Sequence, residues 1–177
     1  MEEKTLIRHS KRLAKLLRHD PGALSMDPAG WVPVEELLAL LGITRAQLDE
    51  VVAGNNKSRY AYDGTGTLIR ASQGHTLPVD LGLEPVEPPE VLYHGTAEPT
   101  VDVVLAEGLR PMLRNHVHLS ADVETATKVG SRHGRPVVLA VAATRMHGDG
   151  HQFYLSANGV WLCDQVPAEY LTSRAPD

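Results

Sequence analysis

The chain has 177 residues, an apolar fraction of 42% and a formal net charge of −5 at pH 7. These values exclude a disordered chain and allow either one domain or two small ones. The single cysteine, Cys163, excludes an internal disulfide, and the longest apolar run, Val137 to Ala143, is far too short to span a membrane. Because the start of the chain carries no apolar signal segment, we expect a soluble, cytoplasmic protein.

The first part of the chain predicts three helices followed by a hairpin. Apolar residues recur at helical spacing, Gly42 and Gly54 follow the second and third helices, and Thr44 with Gln47 forms a capping box. This order is typical of a winged helix, a fold that often binds nucleic acid. The predicted elements are a helix over 3–17, a helix over 34–41, a helix from Thr44 to about 53, and a hairpin of 59–62 and 67–71.

The second part of the chain predicts a mixed α+β lobe. Residues 79–90 contain Pro85, Pro88 and Pro89 without apolar periodicity, and we interpret them as a linker. The predicted elements after it are a strand over 91–94, a helix over about 100–107, a strand over 115–119, a short helix that is capped by Ser120 or Asp122 and ends at Gly130, a buried strand over 136–143, and strand segments at 159–162 and 166–171.

One stretch before Ser120 concentrates polar side chains. Four of them alternate along the chain: Arg114, His116, His118 and Ser120. If residues 115–119 form a strand, all four point to one face, and a guanidinium, two imidazoles and a hydroxyl suit an anionic ligand. A half-exposed strand with a polar outer face is the alternative, and for a lone strand it is the more frequent case.

Other reactions are less consistent with these residues. His116 and His118 suggest zinc, but a third ligand of matching spacing is missing from the sequence and Arg114 would repel a cation. There is no Gly-x-Ser-x-Gly motif and no glycine-rich phosphate loop. The remaining pool of arginines and histidines suits the binding and polarisation of phosphate.

Two segments of the first part carry polar side chains beside strand ends. Lys57 and Arg59 alternate on entry to the hairpin, and Arg70 lies on its second strand. A wing often shows such cations to solvent, so this pattern alone leaves both interpretations open. Residues 73–76 favour a ligand more, because a glycine beside a strand end lets a ligand approach the backbone closely.

The second part has similar positions. His94 and Thr96 flank Gly95 after a predicted strand, where they offer a donor and an acceptor, although a plain strand-to-loop turn explains them as well. Arg132 lies in the loop after the short helix, which suits a nucleotide contact and a solvated loop equally.

Six motifs in order carry a family resemblance. They are Leu17-Arg18-His19, Lys57-x-Arg59-Tyr60, Ile69-Arg70-Ala71-x-Gln73-Gly74-His75, Leu92-Tyr93-His94-Gly95-Thr96, Arg114-x-His116-Val117-His118-Leu119-Ser120 and Asn158-Gly159-Val160-Trp161-Leu162. Together they resemble the KptA-type RNA 2'-phosphotransferases from about Leu6 to Leu171. Thr76 departs from the serine that is usual in the family, but it keeps the hydroxyl.

The resemblance implies an α+β protein that processes RNA. It implies an N-terminal winged-helix RNA-binding lobe (1–78), a Pro-rich linker (79–90) and a C-terminal NAD-binding lobe of ADP-ribosyltransferase type (91–177). In that family, the RNA 2'-phosphate attacks the nicotinamide ribose of NAD and expels nicotinamide. The ribose 2''-hydroxyl of the ADP-ribosylated RNA then attacks the phosphate. The products are 2'-hydroxyl RNA and ADP-ribose 1'',2''-cyclic phosphate.

The same resemblance assigns site residues. Its catalytic set falls on Arg18, His19, Arg59 and Arg114. Its RNA-phosphate contacts fall on Lys57, Arg70, Gln73 and His75. Its NAD contacts fall on His94, Gly95, Thr96, His118, Ser120 and Arg132. Arg59 and Arg114 would hold the RNA 2'-phosphate, and Arg18 with His19 would act in the second step. No metal is implied, and we expect a monomer.

Two alternatives stay open from the sequence. An ADP-ribosyltransferase that acts on nucleic-acid phosphate ends or on protein would use only the first step, and the Arg18-His19 pair favours the two-step enzyme over it. A non-catalytic RNA-binding module would need neither an NAD pocket nor His19.

Overall fold

The structure is a computed structural model that describes residues 2–55 and 57–174. Its contacts divide the chain into two compact units, unit 1 up to Gly82 and unit 2 from Leu83 onward. The described residues form six α-helices and three small sheets with antiparallel pairing. The predicted α+β class is therefore confirmed.

Unit 1 contains three helices and one three-stranded sheet. Its elements are α1 (Glu3–Arg18), β1 (Val32–Pro33), α2 (Val34–Leu41), α3 (Arg45–Ala53), β2 (Tyr60–Tyr62) and β3 (Leu68–Ala71). The strand order is β1-β3-β2. The three helices and the hairpin match the predicted positions closely. The sequence did not predict β1, because two residues that include a proline give no alternating pattern.

Helix α1 sets the position of the first motif. Leu13 and Leu17 are fully buried in the core of unit 1. Burial of such a side chain stabilises the fold by about 1.5–3 kcal/mol. The helix ends at Arg18, and the backbone N–H of His19 donates to the Lys15 carbonyl at 3.0 Å. Arg18 and His19 therefore lie at the helix C-terminus, the end that favours cations.

The predicted helix boundaries in unit 1 are confirmed by their capping contacts. Gly42 has a φ of 66°, a left-handed conformation that ends α2. The Thr44 hydroxyl accepts from the Gln47 N–H, and the Gln47 side chain accepts from the Thr44 N–H, so the capping box is complete. Helix α3 then leads into the segment that carries Lys57 and Arg59.

Unit 2 contains three helices and two three-stranded sheets. Its elements are β4 (Val91–Ala97), α4 (Val101–Glu107), β5 (Val117–Leu119), α5 (Val123–Gly130), β6 (Pro136–Ala142), α6 (Ala143–Gly148), β7 (Tyr154–Leu155), β8 (Trp161–Cys163) and β9 (Leu171–Ser173). The sheet orders are β4-β6-β9 and β5-β8-β7. Reciprocal backbone hydrogen bonds between Tyr93 and Ser120, of 2.9 and 2.7 Å, connect β4 to the end of β5.

The core of unit 2 lies between its strands and helices. Phe153, Leu139 and Met146 are among its most buried side chains. Residues of the predicted linker also contact this unit, because the Val86 N–H donates to the Phe153 carbonyl at 2.8 Å. No helix of the described residues is long and apolar enough to cross a membrane.

Several predicted boundaries in unit 2 are wrong. Strand β5 has three residues, not the predicted 115–119, because a turn occupies the residues before Val117. Half of the predicted strand over 166–171 is a 3-10 turn, Ala168–Tyr170, and Leu171 begins β9. Helix α6 and strand β7 were not predicted, since each is too short to show a period. Asp122, not Ser120, caps α5 by accepting from the Thr125 N–H at 2.7 Å.

Candidate active site

Arg18 and Arg59 line one pocket of unit 1, with a volume of about 420 Å³. Tyr60 lines it as well, and its hydroxyl donates to the Ser10 carbonyl at 2.9 Å. Burial raises the pKa of Tyr60, while the positive charges of Arg18 and Arg59 act to lower it. Two catalytic residues suggested by the resemblance, 41 positions apart in sequence, thus share one cationic pocket.

Asn55 organises the segment that carries the two hairpin cations. Its side chain is buried, and its Oδ1 accepts from the Lys57 N–H at 3.2 Å and from Arg59 Nη1 at 3.4 Å. Its Nδ2 donates to the Ser10 hydroxyl at 3.4 Å. Sequence reasoning missed this role, although an asparagine just after a helix is a common turn-forming signal. The Lys57 side chain itself is exposed.

The Arg18-His19 pair is tied to Thr76. The Thr76 N–H donates to the Arg18 carbonyl at 2.9 Å, and the Thr76 hydroxyl donates to the same carbonyl at 3.3 Å. His19 Nδ1 lies 3.1 Å from Thr76 Oγ1, within hydrogen-bond distance. The hydroxyl that this chain keeps at Thr76 therefore orients His19 and links the second predicted segment to the first.

Residues 73–75 pack beneath this pair. Gly74 has a φ of 89°, and a Cβ there would come within 3.5 Å of the Arg18 guanidinium carbon. His75 is 2% exposed, and burial lowers its pKa to about 4, with further repulsion from Arg18, Arg70 and His19. Its imidazole is therefore neutral at neutral pH. His75 Nε2 and Gln73 Oε1 are buried without a hydrogen-bond partner among the described residues.

Arg70 already has contacts within unit 1. Its guanidinium lies 4.4 Å from the centre of the Trp31 ring, and its Nη1 donates to the carbonyls of Ala29 at 3.2 Å and Leu81 at 3.4 Å. Burial lowers the pKa of Arg70. These contacts hold the cation on β3, close enough for its charge to lower the pKa of His75.

In unit 2, His118 links Arg114 to His94, with its imidazole bonded to Arg114 and its backbone carbonyl bonded to His94. Arg114 Nη1 lies 2.8 Å from His118 Nδ1. A guanidinium can only donate, so Nδ1 accepts and neutral His118 carries its proton on Nε2. The His118 carbonyl in turn accepts from His94 Nδ1 at 3.1 Å. Burial lowers the pKa of His94, although this hydrogen bond acts to raise it.

The expected shared strand face of Arg114, His116, His118 and Ser120 is wrong in part. Arg114 and His116 lie in the turn before β5, and only His118 lies within the strand. Arg114 meets His118 because the turn folds back, and the His116 ring lies 6.0 Å from the Tyr154 ring. The polar cluster exists, but turn geometry produces it.

Arg132 and Arg114 form a second cationic group. Removal of water around the guanidinium lowers the pKa of Arg114, and repulsion from Arg132 lowers it further. Such repulsion is relieved when an anion binds to both cations. Among the described residues, no group of three or more His, Cys, Asp or Glu side chains could hold a metal ion.

Gly95 has a packing role in unit 2. A Cβ at Gly95 would overlap the Ala126 carbonyl oxygen and lie 2.9 Å from the Gly130 nitrogen. A Cβ at Gly130 would lie 2.7 Å from the Thr96 carbonyl oxygen. The two glycines therefore allow α5 to contact β4 backbone to backbone. Thr96 Oγ1 is hydrogen-bonded to Thr100 Oγ1 at 2.6 Å.

Comparison with known proteins identifies the family. The model of the RNA 2'-phosphotransferase, Tpt1 / KptA family matches residues 4–165. The chain therefore belongs to this family, as the six motifs predicted.

Individual relatives match over nearly their whole length. A "Probable RNA 2'-phosphotransferase" of Nostoc punctiforme is 52% identical over 97% of this chain and 98% of the relative. Proteins of the same description from Streptomyces griseus and Streptomyces coelicolor are 53% and 51% identical, over 98% and 99% of this chain and 100% of each relative.

Proposed function

We propose that this protein is an NAD-dependent RNA 2'-phosphotransferase that removes an internal 2'-phosphate from RNA. Family membership supports the substrate and the group transferred. The observation that carries the proposal is the pairing of Arg18 and Arg59 in one pocket of unit 1. Two guanidiniums on one cavity give paired donors for a phosphate dianion, which they bind more strongly than neutral donors would.

NAD is proposed as a consumed co-substrate. It supplies an electrophilic ribose carbon that receives the RNA phosphate, so that the RNA passes through an ADP-ribosylated form before ADP-ribose 1'',2''-cyclic phosphate is released. The residues of unit 2 are suited to such a dinucleotide. Arg114 and Arg132 repel one another until an anion lies against them, and a pyrophosphate has the required charge. Beside Arg114, neutral His118 can donate from Nε2, and His94, whose Nδ1 donates to the His118 carbonyl, offers Nε2 as an acceptor.

Within this proposal, unit 1 is the winged-helix RNA-binding lobe and unit 2 is the NAD-binding lobe of ADP-ribosyltransferase type. Arg59, with Lys57, would hold the RNA 2'-phosphate, and Arg114 would stabilise the charge that develops as the phosphate oxygen attacks. Arg18 and His19 would act in the second step, in which a ribose hydroxyl loses its proton and the RNA 2'-oxygen gains one.

Four further residues divide by exposure. Lys57 is exposed, and we assign its ammonium to contact with RNA. Arg70 and His75 are held within unit 1, so we assign them to positioning: burial and the charges of Arg18 and Arg70 keep His75 neutral, and Arg70 is held by the Ala29 carbonyl. Gln73 is half-buried, with Oε1 available for a donor. Ser120 and Thr96 contribute hydroxyls in unit 2.

The test is incubation with NAD and a short RNA that carries one internal 2'-phosphate, with separation of the RNA and nucleotide products. We expect 2'-hydroxyl RNA, nicotinamide and ADP-ribose cyclic phosphate, and no reaction of the same RNA without the phosphate. Accumulated ADP-ribosylated RNA would support a one-step ADP-ribosyltransferase instead, and untouched NAD would support a binding module.

A chelator arm tests the proposal that no metal takes part. Arg114 beside His118 disfavours a cation at that position, so EDTA should leave the rate unchanged. Complete loss of activity in EDTA with recovery in zinc would contradict this part of the proposal.

A further inference from the structure

The pocket of unit 1 has an apolar wall as well as cations. Leu6, Ile7 and Ala14 line it together with Arg18 and Arg59. The described residues that line it include Lys11 and carry no carboxylate. Its volume of about 420 Å³ is within the ~300–1,000 Å³ typical of small-molecule sites. The proposed binding of phosphate uses the two arginines and gives the apolar wall no role.

Helix α1 arranges these groups in one stripe. Ile7, Lys11, Ala14 and Arg18 follow one another at three- or four-residue spacing and share a face of the helix. Ser10 lies beside this stripe and receives the hydrogen bonds of Tyr60 and Asn55. Ile7 lies about 5 Å along the helix axis from Ser10. Ser10 also marks the position of Arg59, because the Asn55 side chain is hydrogen-bonded to both residues. At the other end of the wall, Ala14 lies about 6 Å along the axis from Arg18.

Local packing keeps the wall open to solvent. Ile7 is 45% exposed, although it lies on the most amphipathic helix of unit 1. Gly54 lies opposite Leu6, and a Cβ at Gly54 would come within 3.4 Å of both Leu6 methyl groups and 3.0 Å of the Glu50 carbonyl. A single exposed isoleucine is ordinary. Ile7, however, lines a cationic pocket and offers an apolar surface beside the proposed phosphate site.

The ligand that combines these properties is a nucleotide. Its phosphate is anionic, and its base is flat and apolar on both faces. A base in a duplex has those faces covered by its neighbours, so only an unpaired nucleotide can present one to a side chain. Lys11 beside the wall suits the phosphate of an adjoining nucleotide.

We propose that this pocket takes one unpaired nucleotide of RNA, and that Leu6, Ile7 and Ala14 hold the base of the nucleotide whose 2'-phosphate meets Arg18 and Arg59. The inference rests on the proposed function and adds the requirement for an unpaired base. Ile7 is then a positioning residue for the substrate and takes no part in the chemistry.

The experiment measures binding without NAD, using fluorescence anisotropy of a labelled short RNA with one internal 2'-phosphate. Its partner ligand is the same RNA with an abasic site at the phosphorylated nucleotide. Loss of the base should weaken binding to the wild-type protein about tenfold. Ile7→Ala should weaken binding of the intact RNA about fivefold. Loss of the base should then weaken binding to Ile7→Ala less than binding to the wild type, because the substitution and the abasic site remove the same contact.

Two variants control for indirect effects. Leu40→Ala makes the same kind of change at an apolar side chain of α2 that is 37% exposed and does not line the pocket, and it should bind both RNAs as the wild type does. Ile7→Met keeps the apolar surface and should retain the discrimination. Thermal unfolding of each variant checks that unit 1 remains folded.

The outcomes separate this inference from the proposed function. Equal wild-type affinity for the intact and abasic RNAs, or an equal loss on both RNAs in Ile7→Ala, would overturn the base contact even if the RNA is dephosphorylated with NAD. A clear preference for the intact RNA without dephosphorylation would support the base contact and overturn the proposed function. Failure to bind RNA with a 2'-phosphate at all would overturn both.

Discussion

Unit 1 and unit 2 each gather basic side chains, but they hold them in different ways. In unit 1, Arg18 and Arg59 come from separate elements around a cavity, where Asn55 Oδ1 accepts from Arg59 and the Thr76 hydroxyl donates to the Arg18 carbonyl. In unit 2, the donors lie on strands and turns whose spacing depends on direct backbone contact at Gly95.

This difference distinguishes motif residues that are suited to the reaction from motif residues that are explained by packing. Among the motif residues of unit 1 that line the cavity, Tyr60 packs in the core, whereas Arg18 and Arg59 bring positive charge to the cavity. In unit 2, Gly95 was expected to line the cofactor site, and its contact with α5 already explains a glycine at that position. Substitution of Arg18 or Arg59 should therefore affect mainly the reaction, and substitution of Gly95 should also affect stability.

The largest effect is expected from Arg114→Ala, which tests whether a hydrogen-bond donor of unit 2 takes part in the reaction. Loss of a charged donor at the developing charge should lower kcat/KM by about 10²–10³-fold. Arg110→Ala changes an exposed arginine of the same loop and should leave the rate unchanged. Similar melting temperatures for both variants would exclude a folding effect, and full activity of Arg114→Ala at saturating substrate would remove it from the catalytic set.

The next effect concerns packing in unit 2. Gly95→Ala should lower the free energy of unfolding by about 3 kcal/mol, because the backbone atoms that a Cβ would meet cannot move aside independently. Urea denaturation measures this change. Gly148→Ala is the control, since a Cβ at that position meets nothing within 4 Å. Equal stability of the two variants would show that α5 can shift away from β4.

A pH effect tests the burial of neutral His75 in unit 1. Its pKa falls from about 6.5 in the unfolded chain to about 4 when folded, so the unfolded state binds more protons between these values. The folded protein should lose about 2 kcal/mol of stability from pH ~7 to ~5 through this group. His75→Gln should reduce the loss, and His133→Gln, at an exposed site, should not. Identical pH profiles for wild type and His75→Gln would contradict this account.

The smallest effect is expected at the contact between Thr76 and His19. Thr76→Val removes the hydroxyl but keeps the side-chain shape, and the lost hydrogen bond should slow the second step by about tenfold. The ADP-ribosylated RNA should then accumulate, as it should in His19→Ala. Thr76→Ser retains the hydroxyl and should react as the wild type does. No accumulation in either His19→Ala or Thr76→Val would exclude His19 from the second step.

The helices of unit 1 were predictable because their signals are local. The capping box at Thr44, the glycine after Leu41 and the apolar spacing of α1 each act within a few residues. The turn before β5 was not predictable, since its polar residues alternate as they would in a strand. Only Val117 and Leu119 alternate as buried apolar residues there, and two positions are too few to show where the strand begins.

The candidate site was predictable only in its residue identities. The resemblance names Arg18 and Arg59, but their shared pocket depends on the packing of α1 against the hairpin, which no local pattern contains. Asn55 and Ser10 were missed because their contribution is a hydrogen bond between distant segments. The roles of the assigned residues stay predictions until the variants above are measured.

The overlap that a Cβ at Gly95 would create also affects how distant relatives should be interpreted. A descendant that had lost the arginines proposed to be catalytic would still need small residues where β4 meets α5 in order to fold. Glycine at this position therefore reports the presence of the architecture and not of an active enzyme. In a survey of divergent sequences, retention of Arg18, Arg59 and Arg114 is the more informative criterion for choosing which proteins to assay.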